Sequence, residues 1–538
     1  MKRLLCLILS IALALCCLTG CESEKPTVSV AYDLSASPSN IDPQNASSQG
    51  AMIVLQHAME GLYRLDENGA AVPALAAETK IENDGRIYTF TLSDDASWYY
   101  LDEQKNEQTK PLTAHDFVFA FRRLLRAETR SPAATRFYCI KNAEAVHTGA
   151  LPEDALGVAA PDDKTVQFTL NNANDAFLYL LTTTYAFPCN EEFFESTRGR
   201  YGLDKDTLLS NGAYRISFWD PADQIRLAKN SRYPGAGSLG ADQVRLRITK
   251  AESDRTDLER LLEETVDAML LPGDRAAALS SSEYAVTMLE NEVFGLLLNQ
   301  KNETLANENV RRAIALCFDR TAYGKKLPAH LKIADRLVPA STALFGTPYA
   351  GSAAAPALDI GKAQNLYETG LTELGKTSVN DLTLLVNGEA EVDLTAHFLQ
   401  VSQLLQRDLS MYIRIETVNA STFKSRLASG NYDIAAVSYS AADSSVLTYL
   451  EPFLTDSPSN TCGYSDESVD AAFGAVANAN TAEEAAALCT SVEQKLLNSG
   501  IFIPMLFSSD AFVTRVDTTG ILYHASTGLP DFRNTVFH

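Results

Sequence analysis

This chain is poor in the features that most often betray a catalyst or a metal centre. Its seven histidines are scattered, with no His-x-x-x-His pair, and His57, His115 and His147 stand far apart, so no spacing asks for zinc. There is no Gly-x-Ser-x-Gly, no Cys-x-x-Cys and no EF-hand loop, and no residue set offers itself as nucleophile plus base. His397 falls on an apolar helical stripe, the place of a core or boundary histidine. Positive charge is also scarce: 45 Lys and Arg stand against 68 Asp and Glu, a formal net charge of −23. Such an excess argues against nucleic acid or an anionic membrane surface as partner. Beyond the N terminus there is no second long apolar run, no internal repeat and no low-complexity block. Cysteine gives no disulfide framework either. Of nine, Cys6, Cys16, Cys17 and Cys21 lie at the N terminus, leaving Cys139, Cys189, Cys317, Cys462 and Cys489, scattered and odd in number. One Gly-x-Gly-x-x-Gly occurs at Gly235, Gly237 and Gly240, but Tyr233-Pro234 precede it and a strand pattern follows. A phosphate-cradling loop should instead follow a strand and open a helix, so a surface turn is expected here.

What is present begins with the first residues. Lys2 and Arg3 are followed by a run, 4–18, that is apolar apart from Ser10, the layout of a secretory signal and short for a membrane span. It ends in Leu18-Thr19-Gly20-Cys21 and then the polar Glu22-Ser23-Glu24-Lys25-Pro26. Leu-x-Gly-Cys at that spacing looks like a bacterial lipobox, in which the chain is cut before Cys21 and its thiol diacylated. Acyl chains contribute about 0.8 kcal/mol per buried methylene, so two on Cys21 would hold the protein durably on the outer face of the cell membrane. The expectation is a signal peptide over 1–20 and a lipid-anchored, extracytoplasmic protein too long for a single core.

Periodicity predicts alternating strands and helices. Strands are expected over 28–32, 87–92, 166–170 and 244–248. Thr113 and Asp116 have capping-box spacing, and Phe117, Ala120, Phe121, Leu124 and Leu125 follow as one helical stripe. In the second half a helix carrying Leu394, Phe398, Val401 and Leu405 leads to a strand over 412–416, a short helix over 423–427 and a buried strand over 432–437. That rhythm implies parallel pairing. A last helix over 482–497 runs into Ile501-Phe502-Ile503-Pro504, read as a strand limited by its proline. Soft segments are expected at 103–110, 233–240 and 349–356.

Several stretches, in order, resemble the extracellular solute-binding proteins of family five, the oligopeptide- and dipeptide-binding components of ABC importers. They are Ile41-Asp42-Pro43, Glu60-Gly61-Leu62-Tyr63, Pro73-Ala74-Leu75-Ala76, and the block from Tyr88-Thr89-Phe90-Thr91-Leu92 through Trp98 to Leu112-Thr113-Ala114-His115-Asp116-Phe117-Val118. Asn211-Gly212-Ala213-Tyr214, Leu227-Ala228-Lys229-Asn230, Asn309-Val310-Arg311-Arg312-Ala313-Ile314 and Gly430-Asn431-Tyr432-Asp433 continue the likeness. The resemblance implies an α/β fold of the periplasmic-binding-protein-like type II (cluster C) kind, with two main lobes and a small accessory lobe, hinged. By analogy lobe I comprises 22–61, 189–290 and 506–538, the accessory lobe II 62–188, and lobe III 291–505. It further implies a monomer without cofactor or catalysis, which captures a peptide or other small solute by lobe closure and delivers it to an ABC transporter permease.

In the family a segment resembling Arg-Ala-Gly-Trp-x-Ala-Asp-Tyr offers backbone hydrogen bonds, and its Asp pairs with the peptide's free amine. Here that stretch reads Ala436-Val437-Ser438-Tyr439-Ser440-Ala441-Ala442-Asp443, so the implied ligand-binding residues are Tyr439, Ser440 and Asp443. Tyr439 stands where the Trp is expected. Asp443 falls one position late, and either anchors an amine or caps a helix beginning near Ser444. The departures leave open a non-peptide solute (a nickel chelate, haem, an opine, an oligosaccharide) or a sensor of peptide signals. Trp98 lacks its usual tight turn and reads as packing.

Overall fold

Alternation of apolar and polar residues builds the first sheet as periodicity requires. In the strand Ile87–Leu92 one side, Tyr88, Phe90 and Leu92, is buried while Ile87, Thr89 and Thr91 are half-exposed. It lies between Ala76–Glu82 and Thr165–Thr169, with Val158–Asp162 at the far edge. The helix Ala114–Leu125 packs its stripe against this sheet, and Phe121 meets Phe168 with ring centroids 4.8 Å apart. Asp116 accepts hydrogen bonds from the Thr113 amide at 2.8 Å and the Trp98 indole at 3.0 Å. One carboxylate thus caps the helix and satisfies a fully buried indole, so Trp98 is packing. Trp98 sits on Ser97–Leu101, which pairs with Glu107–Pro111, so part of the segment expected to be soft is a strand.

A computed structural model describes residues 27–538 except 103, 105, 175, 250–256, 264, 280, 321–326, 329, 390–393 and 442–444. Among the described residues the dominant feature is an 11-stranded sheet. In spatial order it runs Tyr214–Asp220, Gln224–Lys229, Gln243–Ile248, Ser29–Leu34, Ala268–Pro272, Phe502–Arg515, Tyr284–Leu298, Ile434–Ser440, Leu382–Asn387 and Ile413–Val418, and Leu331–Ile333 pairs with Phe502–Arg515. The expected parallel pairing holds for Leu382–Asn387 with both Ile413–Val418 and Ile434–Ser440. Ile413–Val418 and Ile434–Ser440 follow the helices Thr395–Leu409 and Ala420–Ser429, which return the chain to the starting edge.

Two strands of 15 and 14 residues, Tyr284–Leu298 and Phe502–Arg515, run antiparallel through the middle and join the two halves. Ahead of Glu290 their neighbour is Ala268–Pro272; beyond Glu292 it is Ile434–Ser440. The expectation that Pro504 would limit its strand is corrected: the strand runs on to Arg515. Pro504 lies opposite Gly295, next to a register shift at which Leu506 faces Phe294 and Met505 is extra. A proline lacks only its N–H, and a shift in the ladder is where that donor is least missed.

The core follows the same division. One contiguous cluster spans the first half of the main sheet and the four-stranded sheet, from Val30 and Phe90 to Phe532. The second half has a cluster on each face of its sheet: Leu385, Ala435 and Val437 point into one, Leu384, Val386 and Ile434 into the other. Strands buried on both faces read as apolar runs rather than alternating ones, as Leu384, Leu385 and Val386 do within Leu382–Asn387.

Candidate ligand cleft at the strand crossing

The two halves meet where the crossing strands change partners. Leu289 and Glu290 lie opposite Asp510 and Ser509, Glu292 lies opposite Ser508, and Asn291 is the extra residue. A bulge of this kind frees one backbone unit and bends its strand. Here side chains take up the freed groups. Asn291 Nδ2 donates to Asp510 Oδ2 at 2.7 Å, the Asp510 amide donates to Asn291 Oδ1 at 3.2 Å, and the Tyr449 hydroxyl donates to the Asn291 carbonyl at 2.5 Å. Glu290, largely buried, accepts from Lys332 Nζ at 2.9 Å and from the Ala340 amide at 3.1 Å, and its carbonyl accepts from the Ser341 hydroxyl. None of Glu290, Asn291, Tyr449 or Asp510 was singled out from sequence, because their partners lie up to 219 residues away. The available signal was a polar Glu-Asn-Glu interrupting an apolar strand.

Tyr439 and Ser440 end the strand that abuts this bulge, paired with Val293 and Glu292. The Tyr439 ring lies between Phe453 and Phe502, centroids 5.5 Å from each, and burial pushes its phenol well above the ordinary value. Ser438 and Ser440 are exposed on the opposite face. On its outer side the strand is paired only at Ile434 and Ala435, with Leu384 and Leu385. Residues 436–440 therefore have no strand partner on that side among the described residues. Asp443 and Cys21 lie outside the described residues. The helix that follows is Val446–Leu450 with Ser445 at its N-cap position, so it begins after the expected start near Ser444.

Two further ionisable groups show how the frame is held. Glu493, on the helix Ala482–Ser499, is fully buried and accepts from the amides of Leu337 and Val338 at 3.0 and 2.8 Å and from the Tyr349 hydroxyl at 3.2 Å. Burial outweighs these donors and pushes its carboxyl up to about 7. His57, also fully buried, donates from Nδ1 to the Ile53 carbonyl at 2.7 Å and accepts the Phe532 amide on Nε2 at 3.0 Å. Burial lowers it to about 4, so it is a neutral structural tie. Among the described residues no group of three or more His, Cys, Asp or Glu could hold a metal ion, and no helix is long and apolar enough to cross a membrane. Cys139, Cys189, Cys317, Cys462 and Cys489 are free and buried.

Two α/β halves on a shared pair of crossing strands, with an accessory sheet on the first, are the build of a multi-lobed, hinged binding protein. Residues 70–461 match the bacterial extracellular solute-binding proteins, family 5 (middle region), and the chain belongs to that family. The dipeptide-binding protein DppE of Bacillus subtilis (strain 168) is 24% identical over 497 residues, 90% of this chain and 88% of DppE. The substrate-binding domain of an oligopeptide ABC transporter from Bacillus anthracis str. Ames superposes with a TM-score of 0.69 at 26% identity, covering 95% of this chain and 99% of that one. Listeria monocytogenes OppA bound to peptide has the same fold, with a TM-score of 0.70, 24% identity and coverage of 95% and 99%.

Proposed function

We propose that this protein is the lipid-anchored, extracytoplasmic substrate-binding component of an ABC importer, capturing a peptide between its two halves and presenting it to a membrane permease. The observation that carries the reading is that 436–440 has no strand partner on its outer side among the described residues. An extended peptide has one N–H and one C=O per residue to satisfy when buried, and an unpaired strand segment at the crossing offers matching groups. The name of DppE and the peptide bound to Listeria OppA favour a peptide over other solutes.

In this reading lobe I is 22–61 with 189–290 and 506–538, lobe II is 62–188 and lobe III is 291–505. The bulge at Asn291 is the hinge. Ligand touches both faces only when the lobes shut, so binding shifts the equilibrium toward closed, and the permease reads the closed shape. The monomer needs neither cofactor nor catalysis. Cys21 carries the lipid, Tyr439 shapes the pocket floor, Ser440 faces the ligand, and Asp443 pairs with its free amine. Native mass spectrometry of the purified protein should find peptides carried through purification. Calorimetry with Asp443→Ala should show lost affinity for free-amine peptides and unchanged affinity for their N-acetylated forms. Equal affinity of wild type for non-peptide solutes alone, with no peptide bound, would overturn the assignment.

A further inference from the structure

The segment 334–353 crosses the second half beside the bulge and ends in a feature that neither the sheet nor the cleft explains. Its root is fixed in the second half: Leu337, Val338, Leu344 and Tyr349 belong to a core cluster there, and Glu493 binds its amides and Tyr349. It also grips Glu290, next to the bulge, through Ala340 and Ser341. From this root a hairpin projects, with Leu344 paired to Thr347 and a two-residue turn of Phe345 (φ 50°) and Gly346 (φ 77°). Two left-handed residues in a two-residue turn are a type I′ geometry, which glycine tolerates and phenylalanine resists. A side chain kept in spite of that cost points to a contact worth more than the strain.

The contact is with the other half. Phe345 packs against both the first-half core and the second-half core. Gly346 lies so close to the Tyr179 ring that a methyl group there would overlap it. Tyr179, beside the first-half core residues Phe177 and Leu180, is held by its hydroxyl, which donates to the Ser526 carbonyl at 3.1 Å. A second touch, Asn174 Nδ2 to the Ala477 carbonyl at 3.5 Å, lies in the same region between the halves.

We propose that the Phe345-Gly346 turn is a closing latch: it docks on Tyr179 across the cleft, and this docking sets the fraction of closed protein and the residence time of the ligand. The strap that carries the latch also grips the residue beside the hinge bulge, so bending at Asn291 and seating of the turn are one movement. Tyr179, Phe345 and Gly346 are positioning residues and need not touch the ligand. The inference rests on the closure proposed above and adds what holds the closed state.

The test is pulsed dipolar spectroscopy on the chain labelled at Ala222→Cys and Glu368→Cys, both exposed and on opposite halves; among the described residues the native thiols are buried, and Cys6, Cys16, Cys17 and Cys21 are replaced by Ser so that they take no label. Wild type should show a short and a long distance. Phe345→Gly, which relaxes the turn and deletes only the ring, should lower the short-to-long ratio about tenfold, and Gly346→Ala should do likewise. Tyr179→Phe should leave it within about twofold, since the ring face is kept. Phe345→Gly should also melt like wild type, separating latch loss from misfolding. Two distances in wild type with ratios unchanged in Phe345→Gly and Gly346→Ala would overturn the latch alone. A single unvarying distance in wild type, with or without tetra-alanine, would overturn closure and the latch with it.

Discussion

The crossing strands carry two register shifts only a few residues apart, and they are built from opposite materials. At Asn291 the shift is held by polar groups: Asp510 on the Asn291 side chain, the Tyr449 and Ser341 hydroxyls on the carbonyls of Asn291 and Glu290, and Lys332 and the Ala340 amide on the Glu290 carboxylate. At Met505 the displaced residue is buried, next to Pro504, which lies opposite Gly295, where an added β-carbon would run into the Phe502 ring. Hydrogen bonds at a half-buried site can be exchanged for water at a net cost of only about 1 kcal/mol each. Close-packed apolar contacts have no such substitute, and opening them leaves a void. In the proposed reading, the polar shift is where the molecule bends and the apolar shift is where it is locked.

The largest effect should come from the locked shift. Gly295→Val would drive a branched side chain into Phe502 and the Ile503 carbonyl, and should destabilise by about 3 kcal/mol or more in urea unfolding. A wild-type midpoint would show that the apolar shift is as pliant as the polar one. Next is the pH response of the strap root. Glu493 binds its proton more tightly folded than unfolded, so its contribution to stability is complete below the ordinary carboxylate range and falls away as pH rises through about 7. The loss is on the order of 3 kcal/mol. Glu493→Gln should flatten the unfolding free energy between about pH 5 and pH 8, and an unchanged slope would assign the decline elsewhere.

Asn291→Ala removes both hydrogen bonds to Asp510 and should cost about 2 kcal/mol. Unlike Gly295→Val, it should also change the proportion of closed protein in the dipolar measurement. The smallest effect belongs to Tyr449→Phe, which loses one hydroxyl contact to the Asn291 carbonyl and should cost about 1 kcal/mol, read as a lower melting temperature. A larger shift in closure from Tyr449→Phe than from Asn291→Ala would place the bend at the helix Val446–Leu450 instead.

What could be read in advance was whatever depends on local periodicity. Ile87–Leu92 alternates because one face meets a core, the helix Ala114–Leu125 starts at Thr113 because its cap chemistry is local, and the helix–strand rhythm of 395–440 implies parallel neighbours. The crossing strands escaped because their surroundings change along their length. Tyr284–Leu298 is exposed at 285–288 and buried throughout 295–298, so no single period describes it. Phe502–Arg515 contains a proline, which local rules treat as a stop and the register shift accommodates. Glu107–Pro111, polar throughout, looks like a loop until Ser97–Leu101 supplies its partner. The bulge and strap-root residues Glu290, Asn291, Asp510 and Glu493 are joined only by the fold. Tyr439, reached through resemblance, lies at the crossing, with its ring turned into the aromatic core.

The most direct trial of closure around a peptide is small-angle scattering on ligand-depleted protein, before and after a mixed pool of short peptides with free N termini. The radius of gyration should contract on addition, and the same pool N-acetylated should have no effect. Peptide bound, as shown by mass spectrometry of the same sample, with scattering curves that superpose before and after, would contradict the account.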